Sequence, residues 1–257
     1  MGWTILRHLG AWLLIGWPAW VLAADPLDSP SWEDLRKRYF AGQTVVFDEA
    51  VQVNAPVSAE DPLNVPIGVD ASGLAGVQEV RVLADLNPIV EILSFQPGRA
   101  QPRLGFRVKL QQSTPVRAAA RTADGVWHMG GTWVNTTGGG CTLPSTGSAS
   151  ADWQRRLNEV SGRIWHNAAA GPGQRVRIRI IHPMDTGLAA GIPAFFIQDL
   201  LVADASGHAL MHIQGHEPVS ENPLFTLDLP EGQTNLAKVR VTGRDNNGNR
   251  IDAWVTP

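Results

Sequence analysis

Across 257 residues the chain is 44% hydrophobic and 18% charged, enough apolar mass for one large core or two ordinary ones and too much for a disordered chain. A formal net charge of −3 lacks the basic excess of a nucleic-acid binder. A single cysteine excludes an internal disulfide framework, a Cys-based zinc site and an iron–sulfur cluster, and no cofactor or metal is expected.

Four of the ten tryptophans (Trp3, Trp12, Trp17, Trp20) lie in the first twenty residues, so that end differs from the rest. Arg7 and His8 precede an apolar run from Leu9 to Leu22, and Val21-Leu22-Ala23 ends it before Ala24. A positive start, a short apolar stretch and a small-residue end describe a secretory signal peptide over residues 1–24. The run is short for a membrane span and holds Pro18. The protein is therefore expected in the periplasm, free of the membrane. In an oxidising compartment an odd thiol is either paired with another molecule or chemically used.

Ser29-Pro30-Ser31-Trp32-Glu33-Asp34-Leu35 reads as a helix start, and the helix ends near Phe40-Ala41-Gly42. Strands follow. Val80, Val82 and Ala84 alternate with Arg81 and Leu83, and Phe106, Val108 and Leu110 alternate with Arg107 and Lys109, a period of two that marks strands with one wet face. Asp124-Gly125 signals a turn before a strand from Val126 to Asn135. The next sixteen residues, Thr136 to Ala151, carry no charge and hold Leu143 as their one large apolar residue, a linker composition. A helix is expected from Asp152, with Trp153, Leu157, Val160 and Ile164 on one stripe and Gly171-Pro172-Gly173 as its stop. Val176, Ile178 and Ile180 then alternate with Arg175, Arg177 and Arg179, and Asn247-Gly248 signals a hairpin before a last strand through Trp254. The expected fold is mainly β: two immunoglobulin-like antiparallel β-sandwich domains, residues 25–137 and 152–257, joined by a Gly/Ser-rich linker over 138–151 and a short helix.

Cys141 follows Gly138, Gly139 and Gly140. Three glycines give the backbone wide freedom and nothing to pack, which suits a thiol on a flexible arm that visits several active sites while covalently loaded. A buried free cysteine, an incidental exposed thiol and a disulfide with a partner or a second copy are the alternatives. A thiol on such an arm has no sequence neighbour to shift it from ~8.5 and is expected to label like a peptide cysteine. A blue-copper site lacks nearby histidines, and a fixed thiol hydrolase fits poorly with the mobile lead-in. His208, His212 and His216 alternate along a strand, where side chains four apart stand roughly 13 Å from one another, beyond one ion's reach. His182-Pro183-Met184-Asp185-Thr186-Gly187-Leu188 breaks the preceding strand at proline, either as a plain turn or as a recognition loop. Asn135-Thr136-Thr137 matches a glycosylation sequon, too common a pattern to carry weight.

The stretch from Arg175 to Leu188, with Val219-Ser220-Glu221-Asn222-Pro223 and the Asn247-Gly248 hairpin, resembles the SoxZ subunit of the SoxYZ sulfur carrier. The first half, whose closing strand delivers Gly139-Gly140-Cys141, resembles SoxY. The fused order is similar to the quinoprotein dehydrogenase-associated SoxYZ-like carriers. The resemblance implies paired immunoglobulin-like sandwiches and a sulfur-containing cargo held covalently on Cys141. It implies periplasmic oxidoreductases as partners, either Sox-type sulfur-oxidising enzymes or a quinoprotein dehydrogenase system, with residues 182–188 offered to them. In SoxY the arm ends the chain, whereas here Cys141 is followed by Thr142-Leu143-Pro144 and a whole second domain, so the arm is tethered at both ends. The reading is a carrier that is not itself a catalyst. The rivals are a docking module of a quinoprotein alcohol dehydrogenase system, with Cys141 incidental, and a thiol enzyme.

Overall fold

The computed structural model describes residues 24–145, 152–166, 173–232 and 236–257. The expected signal peptide up to Ala23, the middle of the linker and Gly171-Pro172 lie outside them. The first half runs α1 (Trp32–Phe40), β1 (Val45–Phe47), β2 (Gln52–Asn54), β3 (Ser58–Ala59), β4 (Val65–Asp70), β5 (Val77–Ala84), β6 (Glu91–Gln96), β7 (Arg103–Val108), β8 (Thr114–Thr122) and β9 (Trp127–Thr136). The second runs α2 (Asp152–Arg155), β10 (Val160–His166), β11 (Gly173–Ile180), β12 (Ile197–Asp204), β13 (Ala209–Gly215), β14 (Leu224–Pro230), β15 (Val239–Asp245) and β16 (Arg250–Val255).

These strands form two facing sheets, a mainly β sandwich. The larger follows the order β1-β9-β8-β5-β6-β13-β12-β15-β16, with β3 also on β9, and the smaller follows β10-β11-β14-β7-β4-β2. The expected mainly β, sandwich-like fold is what forms, and the two halves are joined by more than the linker, because both sheets run through their junction. On one side β6 pairs with β13, Phe95 opposite Ile213; on the other β7 pairs with β14, Leu104 opposite Leu227. The four residues belong to one buried cluster that spans both halves. Edge-to-edge pairing satisfies backbone groups that two separate sandwiches would leave open.

Helix α1 forms where expected, although Ser31 makes no side-chain cap; the Asp25 carboxylate instead accepts from the Leu27 and Ser29 amides. The helix lays Trp32, Leu35 and Phe40 over Leu83, Ala119, Trp127 and Met129 on the outside of the larger sheet. Leu83 was read on a wet face and is fully buried for this reason.

The helix expected over Trp153–Ile164 is a single turn. It stops at Arg155, a turn that includes Asn158 at φ +62° follows, and β10 runs antiparallel to β11 from Val160↔Ile180 to His166↔Gln174. Val160 and Ile164 are four apart, a spacing that serves period two as well as period 3.6. Their β-branched side chains, with Trp165, favour the strand. Among the described residues no helix is long and apolar enough to cross a membrane.

Candidate functional site

Strand β7 ends at Val108, which bridges to Val219 of the second half. The next residues, Lys109 to Gln111, lie where the two halves meet. The Lys109 amide donates to Pro218 O at 2.7 Å and the Leu110 amide to Pro62 O at 2.9 Å. The glycines after β9 lie along this segment. Gly139 N donates to Gln111 O and Gly140 N to Leu110 O, both at 3.0 Å.

The flexible arm expected at Gly138, Gly139 and Gly140 is thus docked, and its glycines serve close approach. A Cβ on Gly138 would stand 2.5 Å from Gln111 O, and one on Gly140 would stand 2.2 Å from Pro62 O. Both distances are prohibitive for any side chain. Gly138 and Gly139 also hold φ of +84° and +89°, the left-handed region that favours glycine.

Cys141 is fully buried, which corrects the expectation of an exposed thiol. Its S–H donates to Lys109 O at 3.4 Å, and its amide donates to Gln111 Oε1 at 3.1 Å. Its carbonyl accepts from Thr186 Oγ1 at 2.5 Å. Four residues on, the Ser145 amide donates to Asp185 Oδ1 at 3.0 Å. Burial pushes the thiol up to about 11, with the Lys109 ammonium acting the other way. The ordinary titration expected from the sequence is therefore also corrected. At neutral pH the docked thiol is protonated, and the thiolate is the nucleophile.

The motif His182-Pro183-Met184-Asp185-Thr186-Gly187-Leu188 is the seat of this arm rather than an outward recognition loop. Residues 182–186 are buried, and Gly187 and Leu188 alone are exposed. Met184 takes φ +52°, uncommon for a non-glycine residue, and its carbonyl accepts from Lys109 Nζ. His182 Nδ1 accepts from the Met184 amide at 3.0 Å, and its ring lies 4.5 Å from that of Phe195. Burial pulls its pKa down to about 4, against the charges of Asp245 and Asp185. The Val219–Pro223 segment fastens the loop from behind, since Asn222 N donates to His182 O and Asn222 Oδ1 accepts from His182 N.

Sequence reasoning missed Lys109, Gln111 and Asn87. Lys109 was placed on a wet face, yet the second half covers it and leaves it 1% exposed. Burial lowers its pKa, opposed by Asp185, Cys141 and Glu221. Asn87 Nδ2 donates to Lys109 O and Asn87 Oδ1 accepts from Gln111 N, which fixes the strip on which the arm lies. One available signal was that Lys109 is one of three lysines in a chain that otherwise uses arginine. The spaced histidines lie along β13 and its ends, each beside its own carboxylate: His208 with Asp204, His212 with Asp199 and His216 with Glu91.

The architecture defines a class: a double β-sandwich whose one thiol is sealed at the seam of its halves. Family comparison gives the particular. The model described as sulfur oxidation protein SoxY matches residues 36–141, ending on the cysteine, and that of sulphur oxidation protein SoxZ matches 163–256. One chain thus joins a stretch that matches the SoxY model to a stretch that matches the SoxZ model. Among solved structures it is similar to the sulfur carrier protein SoxY from Chlorobium limicola f thiosulfatophilum, at 20% identity and TM-score 0.37 over 42% of this chain and 96% of that one. A tetra-tandem repeat from the extending region of a large adhesion protein matches at 12% identity and TM-score 0.26 over 80% of this chain and 48% of its own. No curated protein matches.

Proposed function

We propose that this protein is an exported sulfur carrier that holds its cargo on Cys141 Sγ and delivers it to periplasmic oxidoreductases. One observation carries the reading: the SoxY match ends on the cysteine, and that cysteine lies where SoxY-like and SoxZ-like halves close over it. A thiosulfate-type cargo joins through an S–S bond. The thiol loses its proton and the pair loses two electrons, which a partner oxidoreductase accepts. The receivers are Sox-type sulfur-oxidising enzymes, with a quinoprotein dehydrogenase system as the alternative that the sequence resemblance supplies.

The buried thiol adds a condition. Cargo cannot reach Cys141 until the arm leaves its seat, so the arrangement described here is the closed state. A disulfide between two copies through Cys141 needs the same release. Opening breaks the hydrogen bonds of Gly139, Gly140, Cys141, Thr186 and Ser145 named above, each worth about 1 kcal/mol net. The thiol's raised pKa sets the direction with pH. The docked state retains its proton longer than the free arm, so the contribution of docking is full below the free-thiol value of ~8.5 and is lost as pH rises towards about 11.

The test is the intact mass of protein isolated without reductant from its own periplasm. The expected result is an adduct that dithiothreitol removes and that Cys141→Ser lacks. Protein that bears no adduct under any sulfur source, with Cys141→Ser retaining full function, would overturn the reading.

A further inference from the structure

Strand alternation places one residue in two on the outer face of the smaller sheet. There β10 offers Arg163 and Trp165, β11 offers Arg175, Arg177 and Arg179, and β7 offers Arg103, Gly105 and Arg107. Arg175 pairs with Asp228 at 2.7 Å and Arg103 with Asp70 at 3.1 Å. Arg107, Arg163, Arg177 and Arg179 are exposed and have no carboxylate within ion-pair distance among the described residues. Arg163 and Arg177 flank the Trp165 ring at 5.7 and 5.3 Å.

The outer face of the larger sheet is built differently. Arg81 meets Glu79 and Glu91, Arg121 meets Glu79, and Arg240 meets Asp252. In a chain of net charge −3, a face on which four of six arginines have no ion-pair partner is a local excess. It draws anionic partners and sets how they approach.

Shape adds a second observation. Asn54, Gly68, Gly105 and Thr226 are neighbours in register across β2, β4, β7 and β14. The two glycines leave a groove of about 560 Å³ across the junction of the halves, rimmed by Pro66, Arg107 and Leu224. A second hollow of about 350 Å³ adjoins it between Arg107 and Arg179, with Asn64, Glu221 and Asn222 on its walls. Arg107 precedes Lys109 by two residues, roughly 7 Å along the strand, and the Lys109 carbonyl holds the Cys141 thiol.

We propose that this groove, together with the arginines exposed on the face beside it, docks an acidic, extended segment of the partner protein that exchanges cargo with Cys141. The proposal rests on the carrier reading for the partner's purpose, but its geometry does not. Guanidinium forks match carboxylates in pairs, and the glycine floor admits a backbone that side chains would exclude. Because Arg107 belongs to the SoxY half and Arg163, Arg177 and Arg179 to the SoxZ half, the surface is complete only when the halves are joined.

The test uses the full exported chain and a fluorescein-labelled octapeptide of alternating glutamate and serine, read by anisotropy at about 20 mM and about 300 mM salt. The peptide should bind at low salt and weaken as salt rises, whereas a lysine–serine octapeptide should not bind. Arg107→Ser, Arg163→Ser, Arg177→Ser and Arg179→Ser combined should weaken binding at least about tenfold. Gly105→Leu, which fills the groove and keeps every charge, should weaken it as well, and Arg240→Ser should not. Absence of peptide binding, equal binding by the arginine variant or by Gly105→Leu, or tighter binding of a heparin oligosaccharide would each overturn the proposal. Cys141→Ser should bind the peptide as the parent does. Peptide binding by a protein that never bears a Cys141 adduct would leave the groove standing while the carrier reading fell.

Discussion

Two buried clusters, one around Arg117 in the first half and one around Cys141 at the seam of the halves, are held in opposite ways. Around Arg117, which is 1% exposed, every guanidinium edge is engaged: Nε with Asp85 at 2.8 Å, the terminal nitrogens with Asp25 at 2.7 and 2.6 Å, and the face over Trp32 at 4.6 Å. Around Cys141 the contacts are single hydrogen bonds, most of them from neutral donors to backbone or amide oxygens, with the Asp185 carboxylate and the Lys109 ammonium each entering one, and His182 Nε2 has no hydrogen-bond partner, with Asp245 Oδ2 at 3.6 Å. The first cluster ties Asp25 and Trp32 to the sheet and has no reason to open. The second is closed by contacts worth about 1 kcal/mol apiece, which reversible exposure of a thiol requires.

The largest effect is expected where the charge is most completely paired. Arg117→Met leaves Asp85 buried with no cation, and burial pushes the Asp85 carboxyl up even in the presence of Arg117. The loss in unfolding free energy should be about 3–5 kcal/mol, measured by urea denaturation. A loss below about 1 kcal/mol would show that the cluster is not the lock described and would erase the contrast with the thiol seam.

The thiol seam responds to glycine substitution instead. Six hydrogen bonds at about 1 kcal/mol each predict that folded protein labels with a thiol reagent about 10³-fold or more slower than denatured protein. Gly140→Ala puts a Cβ 2.2 Å from Pro62 O and should bring labelling within about tenfold of the denatured rate, with little change in urea midpoint. Gly139→Ala meets nothing within 4 Å but must hold φ +89°, so about tenfold acceleration is expected. Equal protection in Gly140→Ala and the parent would mean that the arm does not lie against Pro62 and Leu110.

What the sequence made legible follows from what is local. Alternation in Val80–Ala84, Phe106–Leu110 and Arg175–Ile180 located β5, β7 and β11, and Asp124-Gly125 and Asn247-Gly248 located two turns, because period and turn chemistry act within a few residues. The misread burials share one cause. Leu83, Lys109, Cys141 and residues 182–186 owe their burial to segments distant in sequence: α1 covers Leu83, and the two halves close on the others. Glycines needed for close approach have the same one-letter signature as glycines needed for freedom, so Gly138 to Gly140 read as a swing while they form a contact surface.

The smallest expected effect concerns acid, and it separates the clusters by sign. His182 Nδ1 accepts from the Met184 amide, which a protonated ring nitrogen cannot do. Its pKa lies at about 4 in the folded protein, lowered by burial from the ordinary ~6.5. A group with a depressed folded pKa contributes stability that is present above the unfolded value and lost as pH falls through the folded one, so the window runs from ~6.5 down to about 4. By pH 5 the loss should reach about 2 kcal/mol. Amide hydrogen exchange reports it locally: corrected for intrinsic pH dependence, Met184 should exchange faster at pH 5 than at pH 7, and Cys141 with it. The amides of Leu27 and Ser29, held by the Asp25 carboxylate that Arg117 keeps ionised, should show no acceleration in that interval. Equal acceleration at both places would mean that acid loosens the whole sandwich, and that His182 does not hold the seat of the arm.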